Sequence, residues 1–104
     1  MAWIAYQGDE HDAVGFLYAE PMHDGSWYFS RVGVMPSARG CGLQREFMSR
    51  LEGWAKRVKV PTLVSTTYLN PHSANNFVRE QWMTYLPAFP WGVADTIYWR
   101  KDFR

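Results

Sequence analysis

Two different periods of apolar residues divide this chain. Trp3 to Gln7 reads as a short strand, and Ala13 to Ala19 as a second, with Val14, Phe16 and Tyr18 alternating with Gly15 and Leu17. The turn-like Gly8-Asp9-Glu10-His11-Asp12 between them predicts an antiparallel hairpin with a longer loop. A further turn at Pro21 to Gly25 leads into Ser26–Val34, a third strand rich in aromatic and branched residues. Pro36 to Gly42 breaks that pattern, and the period then changes from two to 3.6. Leu43, Phe47, Leu51, Trp54, Ala55 and Val58 share one face of the predicted helix. Arg45, Glu46, Ser49, Arg50, Glu52, Lys56 and Arg57 take the rest, and Pro61 stops it.

Thr62–Leu69 predicts a fourth strand. Asn70-Pro71 follows as an N-cap residue and a proline at the first helical position. The second helix is expected to run through Ser73, Ala74, Phe77, Val78 and Trp82 and to end near Met83, with no glycine marking its end. Thr84 to Phe103 reads as a strand, a turn-rich loop at Pro87, Pro90 and Gly92, and a final strand through Ala94 to Trp99. The order β-β-β-α-β-α-β-β is an α+β pattern, expected to form one domain over residues 1–104.

Composition narrows the function classes. Hydrophobic residues make up 47% and aromatics 17%, so there is material for a core and a surplus of rings for a cleft or subunit contact. A net charge of +1 disfavours a nucleic-acid partner. Cys41 is the only cysteine and excludes an internal disulfide, which suits an intracellular setting. His11, His23 and His72 match no metal-ligand spacing, so no metal is expected. No apolar run approaches the roughly 18 residues of a membrane span, and the N-terminus lacks the features of a signal peptide. The expectation is a soluble, cytoplasmic protein.

The chemistry concentrates where a strand runs through Arg39-Gly40-Cys41-Gly42 into an amphipathic helix. The first turn of a helix carries unpaired N–H groups and partial positive charge; glycines let a bulky anion approach, and Arg39 adds a full charge. The same glycines also suit a plain strand-to-helix turn. Arg45 stands where a dinucleotide fingerprint needs its third glycine, and no Gly-Lys-Ser/Thr is present. That leaves an anion site of another kind.

Val32-Gly33-Val34-Met35-Pro36-Ser37-Ala38-Arg39-Gly40-Cys41-Gly42-Leu43, with Phe47, Leu51, Glu52 and Trp54-Ala55 behind it, resembles the coenzyme A motif of GNAT N-acetyltransferases. Asn70-x-x-Ser73-Ala74 followed by Phe77 resembles that family's N-x-x-A-x-x-x-Y segment, and Asp95 to Phe103 its closing strand. The resemblance implies a splayed, mostly antiparallel sheet. It implies a pantetheine arm on the main chain of Val32, Gly33 and Val34, and a pyrophosphate on the loop N–H groups from Arg39 through Gly40, Cys41, Gly42 and Leu43 to Gln44. Asn70, Ser73 and Phe77 would line the far wall, with Asn70 equally suited to a plain N-cap. The co-substrate implied is acetyl-CoA, and the acceptor an amine.

The sequence departs from the family pattern at four places. Ser37 replaces a Gln or Arg, Gln44 a small residue, Gln81 a helix-ending glycine, and Phe77 the tyrosine that protonates the departing thiolate. Phe77 fits a packing role, leaving Tyr68 or a water as the acid. Glu20, Asp24 and His23 flank the third strand, with Glu20 the candidate base. The chain resembles a short form that starts after the family's usual first strand and two helices. An open acceptor cleft or a homodimer is therefore expected. Three readings follow: an active N-acetyltransferase, a degenerate member that binds coenzyme A or a partner without turnover, or a nucleic-acid or assembly protein sharing only the fold, which the charge balance does not support.

Overall fold

Along the second strand burial alternates residue by residue. Leu17 and Ala19 are fully buried, whereas Phe16, Tyr18 and Glu20 are exposed, as a sheet with one covered face requires. The computed structural model describes residues 2–7, 12–34 and 42–103. The elements are β1 (Ala2–Gln7), β2 (Asp12–Pro21), β3 (Trp27–Val34), α1 (Leu43–Arg57), β4 (Thr62–Tyr68), α2 (Pro71–Arg79), β5 (Met83–Tyr85) and β6 (Thr96–Asp102). They form a six-stranded sheet in the order β1-β2-β3-β4-β6-β5. Its strand pairs are antiparallel except β3 with β4, which run parallel. The α+β class and the expected element order hold.

Both helices cover one face. Phe47, Met48, Leu51 and Ala55 of α1 and Phe77 of α2 pack with Leu17, Ala19, Phe29, Leu63 and Trp99 of the sheet. The stripe on α1 is rotated from the expected one. Met48 is fully buried and Glu52 nearly so, while Val58 is half exposed. Glu52 tolerates burial because Lys101 Nζ donates to its carboxylate at 2.5 Å and Trp82 Nε1 at 3.2 Å. Buried charges persist only when paired and hydrogen-bonded in this way.

The second helix is shorter than its pattern suggests, ending at Arg79 rather than near Met83. Trp82 is buried, yet from beyond the helix. Gln81 adopts φ 66°, its N–H donates to the Val78 carbonyl, and the Trp82 N–H donates to the Phe77 carbonyl. This is a Schellman reversal with glutamine in the position glycine usually fills. α1 ends the same way: Lys59 has φ 63° and the Val60 N–H reaches the Ala55 carbonyl. The reversal carries Val60 rather than Val58 into the core. The final strand also begins later than expected, at Thr96, because Asp95 at φ 70° belongs to a turn closed by the Thr96 N–H on the Val93 carbonyl.

Candidate active site

The site is a place where two parallel strands stop pairing. β3 and β4 share only the Trp27–Leu63 and Tyr28–Val64 register pairs. Beyond them β3 stays paired to β2 as far as Val34, and β4 to β6 as far as Tyr68. Each arm of the resulting V is held by its outer neighbour, and the inner edges face each other across a gap.

Two serines mark the point of separation. On the β2 side, Tyr18 pairs with Arg31 and Ala19 with Phe29, so Ser30 is the extra residue of a β-bulge. On the β4 side, the buried Ser65 hydroxyl donates to the Phe29 carbonyl at 2.7 Å. That side-chain bond satisfies a carbonyl for which the β3–β4 ladder no longer supplies a partner. Neither role shows in a sequence pattern, since both serines simply occupy strand positions.

The helices aim their N-termini at the wide end of the gap. β3 ends before α1 and β4 before α2, and the two first turns are tied by Gln44 Nε2 donating to Ser73 Oγ at 2.8 Å. Gln44 thus turns toward α2. At α1 the N-cap is Gly42 (φ 80°), and among the described residues no side chain caps it, so the first turn presents N–H groups that an anion or water can meet. At α2 the N-cap is occupied: Asn70 Oδ1 accepts from the Ser73 N–H at 3.0 Å.

Val32, Gly33 and Val34 contribute strand backbone on the β3 arm. Arg39, Gly40 and Cys41 lie outside the described residues. Leu43 and Gln44 open α1. Phe77 is 2% exposed, stacked on Trp99 (centroids 5.3 Å apart) and edge-on to Trp82 at 4.9 Å. Tyr68 is half exposed at the end of β4, and Glu20 is exposed on β2 opposite Tyr28. Among the described residues no cluster of three or more His, Cys, Asp or Glu side chains could hold a metal, and no helix is long and apolar enough to cross a membrane.

The opposite face of the sheet carries features that sequence reasoning passes over. Tyr28 and Thr66 meet through their hydroxyls at 3.0 Å, beside the last β3–β4 pair. The β5–β6 loop folds over them. Trp91 sits edge-on to Tyr28 (5.7 Å) and to Tyr98 (5.0 Å), and the Gly92 N–H donates to the Tyr98 hydroxyl at 2.7 Å. Gly92 has no room for a side chain, because a Cβ there would fall 2.6 to 2.9 Å from Thr96. Under the loop runs a groove of about 500 Å³ whose lining includes Asp24, Val64, Tyr85, Trp91 and Arg100. The Ser26 hydroxyl and N–H both donate to Asp24 and hold its carboxyl below the usual range. Burial raises the Tyr85 phenol.

The model of the acetyltransferase (GNAT) family matches residues 1–83, and the chain belongs to that family. No relative matches among curated proteins. Solved structures share the fold. A Bacillus subtilis acetyltransferase in complex with CoA superimposes with TM-score 0.83 at 14% identity, over 99% of this chain and 76% of that one. An acetyltransferase from Thermus thermophilus gives 0.77 at 18%, over 98% and 63%. An IAA acetyltransferase from Bacillus cereus gives 0.81 at 11%, over 98% and 77%. The chain thus spans 63% to 77% of the length of these proteins.

Proposed function

We propose that this protein is an N-acetyltransferase that moves the acetyl group of acetyl-CoA to a primary amine by direct attack. The observation that carries the reading is the gap between β3 and β4, with an uncapped helix N-terminus at its wide end. The residues present suit acetyl-CoA. An extended pantetheine arm is an amide chain that can bond the free inner edges as a strand would. Its pyrophosphate is the kind of anion that the first turn of α1 favours. A backbone N–H of the β3 arm would polarise the thioester carbonyl. The similar Bacillus subtilis acetyltransferase was solved in complex with CoA, which supports the choice of co-substrate.

Acid–base chemistry falls to few groups. Phe77 is in the core and has no proton to give. Loss of a general acid removes about 10²–10⁴-fold but leaves a thiol, whose reference pKa is about 8.5, as a fair leaving group. Tyr68, Glu20 and water are the candidates for proton traffic. Phe77 also favours a second reading, a member that binds CoA without turnover. The homodimer and the cytoplasmic setting belong to this proposal too, and solution mass with acetyl-CoA bound checks the first.

The test is thermal unfolding with and without acetyl-CoA, repeated for Arg39→Ala. Ligand at about 100 times Kd stabilises by about 2.7 kcal/mol, a rise of roughly ten degrees at this size. A smaller rise in Arg39→Ala supports the phosphate site. No rise at millimolar ligand removes both readings. Thiol release with an amine panel then separates turnover from binding alone.

A further inference from the structure

We infer that the groove beneath the β5–β6 loop is the acceptor pocket, and that its acceptor is an α-amino acid with a cationic side chain. The inference rests on the acetyltransferase reading of the β3–β4 gap. Tyr28, Val64 and Arg100 stand in one row across β3, β4 and β6, the last row before β3 and β4 part. Val64 and Arg100 line the groove, so it borders the row beyond which the gap begins. Asp24, in the turn before β3, and Pro61, just before β4, line the same groove.

Two opposite charges, Asp24 and Arg100, line this space; among the described residues no salt bridge joins them, although, after the Ser26 hydrogen bonds, the Arg100 charge helps keep the Asp24 carboxyl low. Arg100 donates through Nε to Asp102 at 3.0 Å and lies 5.9 Å from the Tyr85 ring centre. Those contacts engage Nε and one face of the guanidinium, and a fork of Nη groups is the geometry that grips a carboxylate. Asp24 is held through Oδ1 by two donors from Ser26, which orients the carboxylate to receive a cation. Tyr85 and Trp91 wall the groove with rings that suit an aliphatic stem ending in an ammonium group.

An α-amino acid placed with its carboxylate on Arg100 points its amine at the gap, since those groups are neighbours on one carbon. Its side chain then runs along the groove to Asp24. The bound ammonium loses one proton to solvent, and the neutral nitrogen attacks the thioester carbon. The N–C bond forms, the C–S bond breaks, and the second amine proton ends on the thiolate. The products are the amide, coenzyme A thiol and one proton.

The test measures binding of lysine, norleucine and cadaverine to the whole chain with CoA present, by calorimetry, alongside the acetyl-CoA melting shift. Lysine should bind about tenfold more tightly than norleucine, which lacks the distal cation, or cadaverine, which lacks the carboxylate. Arg100→Gln should weaken lysine and norleucine about tenfold and spare cadaverine. Asp24→Asn should weaken lysine and cadaverine and spare norleucine. Equal affinity for the three ligands, no binding of any, or uniform effects of both variants would overturn the inference. Should a variant fail to fold, the three-ligand series on the unmodified protein decides. A retained acetyl-CoA shift beside any of those negatives leaves the cleft reading standing, whereas loss of the shift removes that reading itself.

Discussion

Removing one hydroxyl should loosen the fork of the sheet. Ser65 and Phe29 are 4% and 3% exposed, and the bond from Ser65 Oγ to the Phe29 carbonyl is 2.7 Å long. Ser65→Ala leaves that carbonyl without its donor at the point where the β3–β4 ladder has ended. A buried acceptor stranded in this way costs about 1–3 kcal/mol. Unfolding entropy of about 2.1 cal/mol/K per residue gives about 0.22 kcal/mol/K for this chain, so the melting temperature should fall by about 5–14 °C. Circular dichroism melts measure the drop, with Ser65→Thr as the variant that keeps the hydroxyl. Ser30→Ala is the contrasting control, because its bond to the Tyr18 carbonyl is 3.3 Å and exposed; it should cost under about 0.5 kcal/mol. A Ser65→Ala melt within about 2 °C of the parent, with acetyl-CoA affinity unchanged, would refute the idea that this bond fixes the fork.

Other residues give independent checks. Gln81→Gly and Lys59→Gly remove side chains from left-handed backbone, and each should stabilise by about 0.5–1 kcal/mol in denaturant titrations. Glu52→Gln breaks the nearly buried pair with Lys101 and should cost about 3 kcal/mol, as in other buried pairs stripped of one charge; a loss under about 1 kcal/mol would count against a structural role. Gly92→Ala collides with Thr96 and should cost about 1–3 kcal/mol in denaturant titrations as the loop is pushed outward. Asp24 has its folded pKa lowered beneath 3.8, chiefly by the Ser26 hydroxyl. Its contribution is therefore present above the unfolded value and lost as pH falls through the lowered one. The melting difference between the parent and Ser26→Ala should accordingly shrink as pH drops below 3.8.

The elements are legible in the sequence where local signals are strong. Asn70-Pro71 starts α2 as its pattern predicts, since the cap is local chemistry, made by the Asn70–Ser73 bond. The end of α2 is not legible, because Trp82 sits at a helical spacing but is buried through a reversal that Gln81 does not advertise. Glu52 reads as solvent-facing because its partners, Lys101 and Trp82, are remote in sequence. The Arg39-Gly40-Cys41-Gly42 motif stands out in the sequence by its glycines and arginine, and Arg39, Gly40 and Cys41 lie outside the described residues. The fork does not announce itself, because a bulge at Ser30 and a serine-to-carbonyl bond depend on which strands become neighbours. The groove is harder still, for it joins Asp24, Trp91 and Arg100 from distant parts of the chain.

Amide hydrogen exchange with and without acetyl-CoA is the decisive experiment for the β3–β4 cleft, because it reports where along the backbone the ligand bonds. Added protection is expected over Ser30 to Val34 on the β3 arm and over Leu43 to Glu46 at the start of α1, the two edges that frame the gap. Protection absent from both segments at saturating ligand, or confined to the groove lined by Asp24 and Arg100, would contradict it.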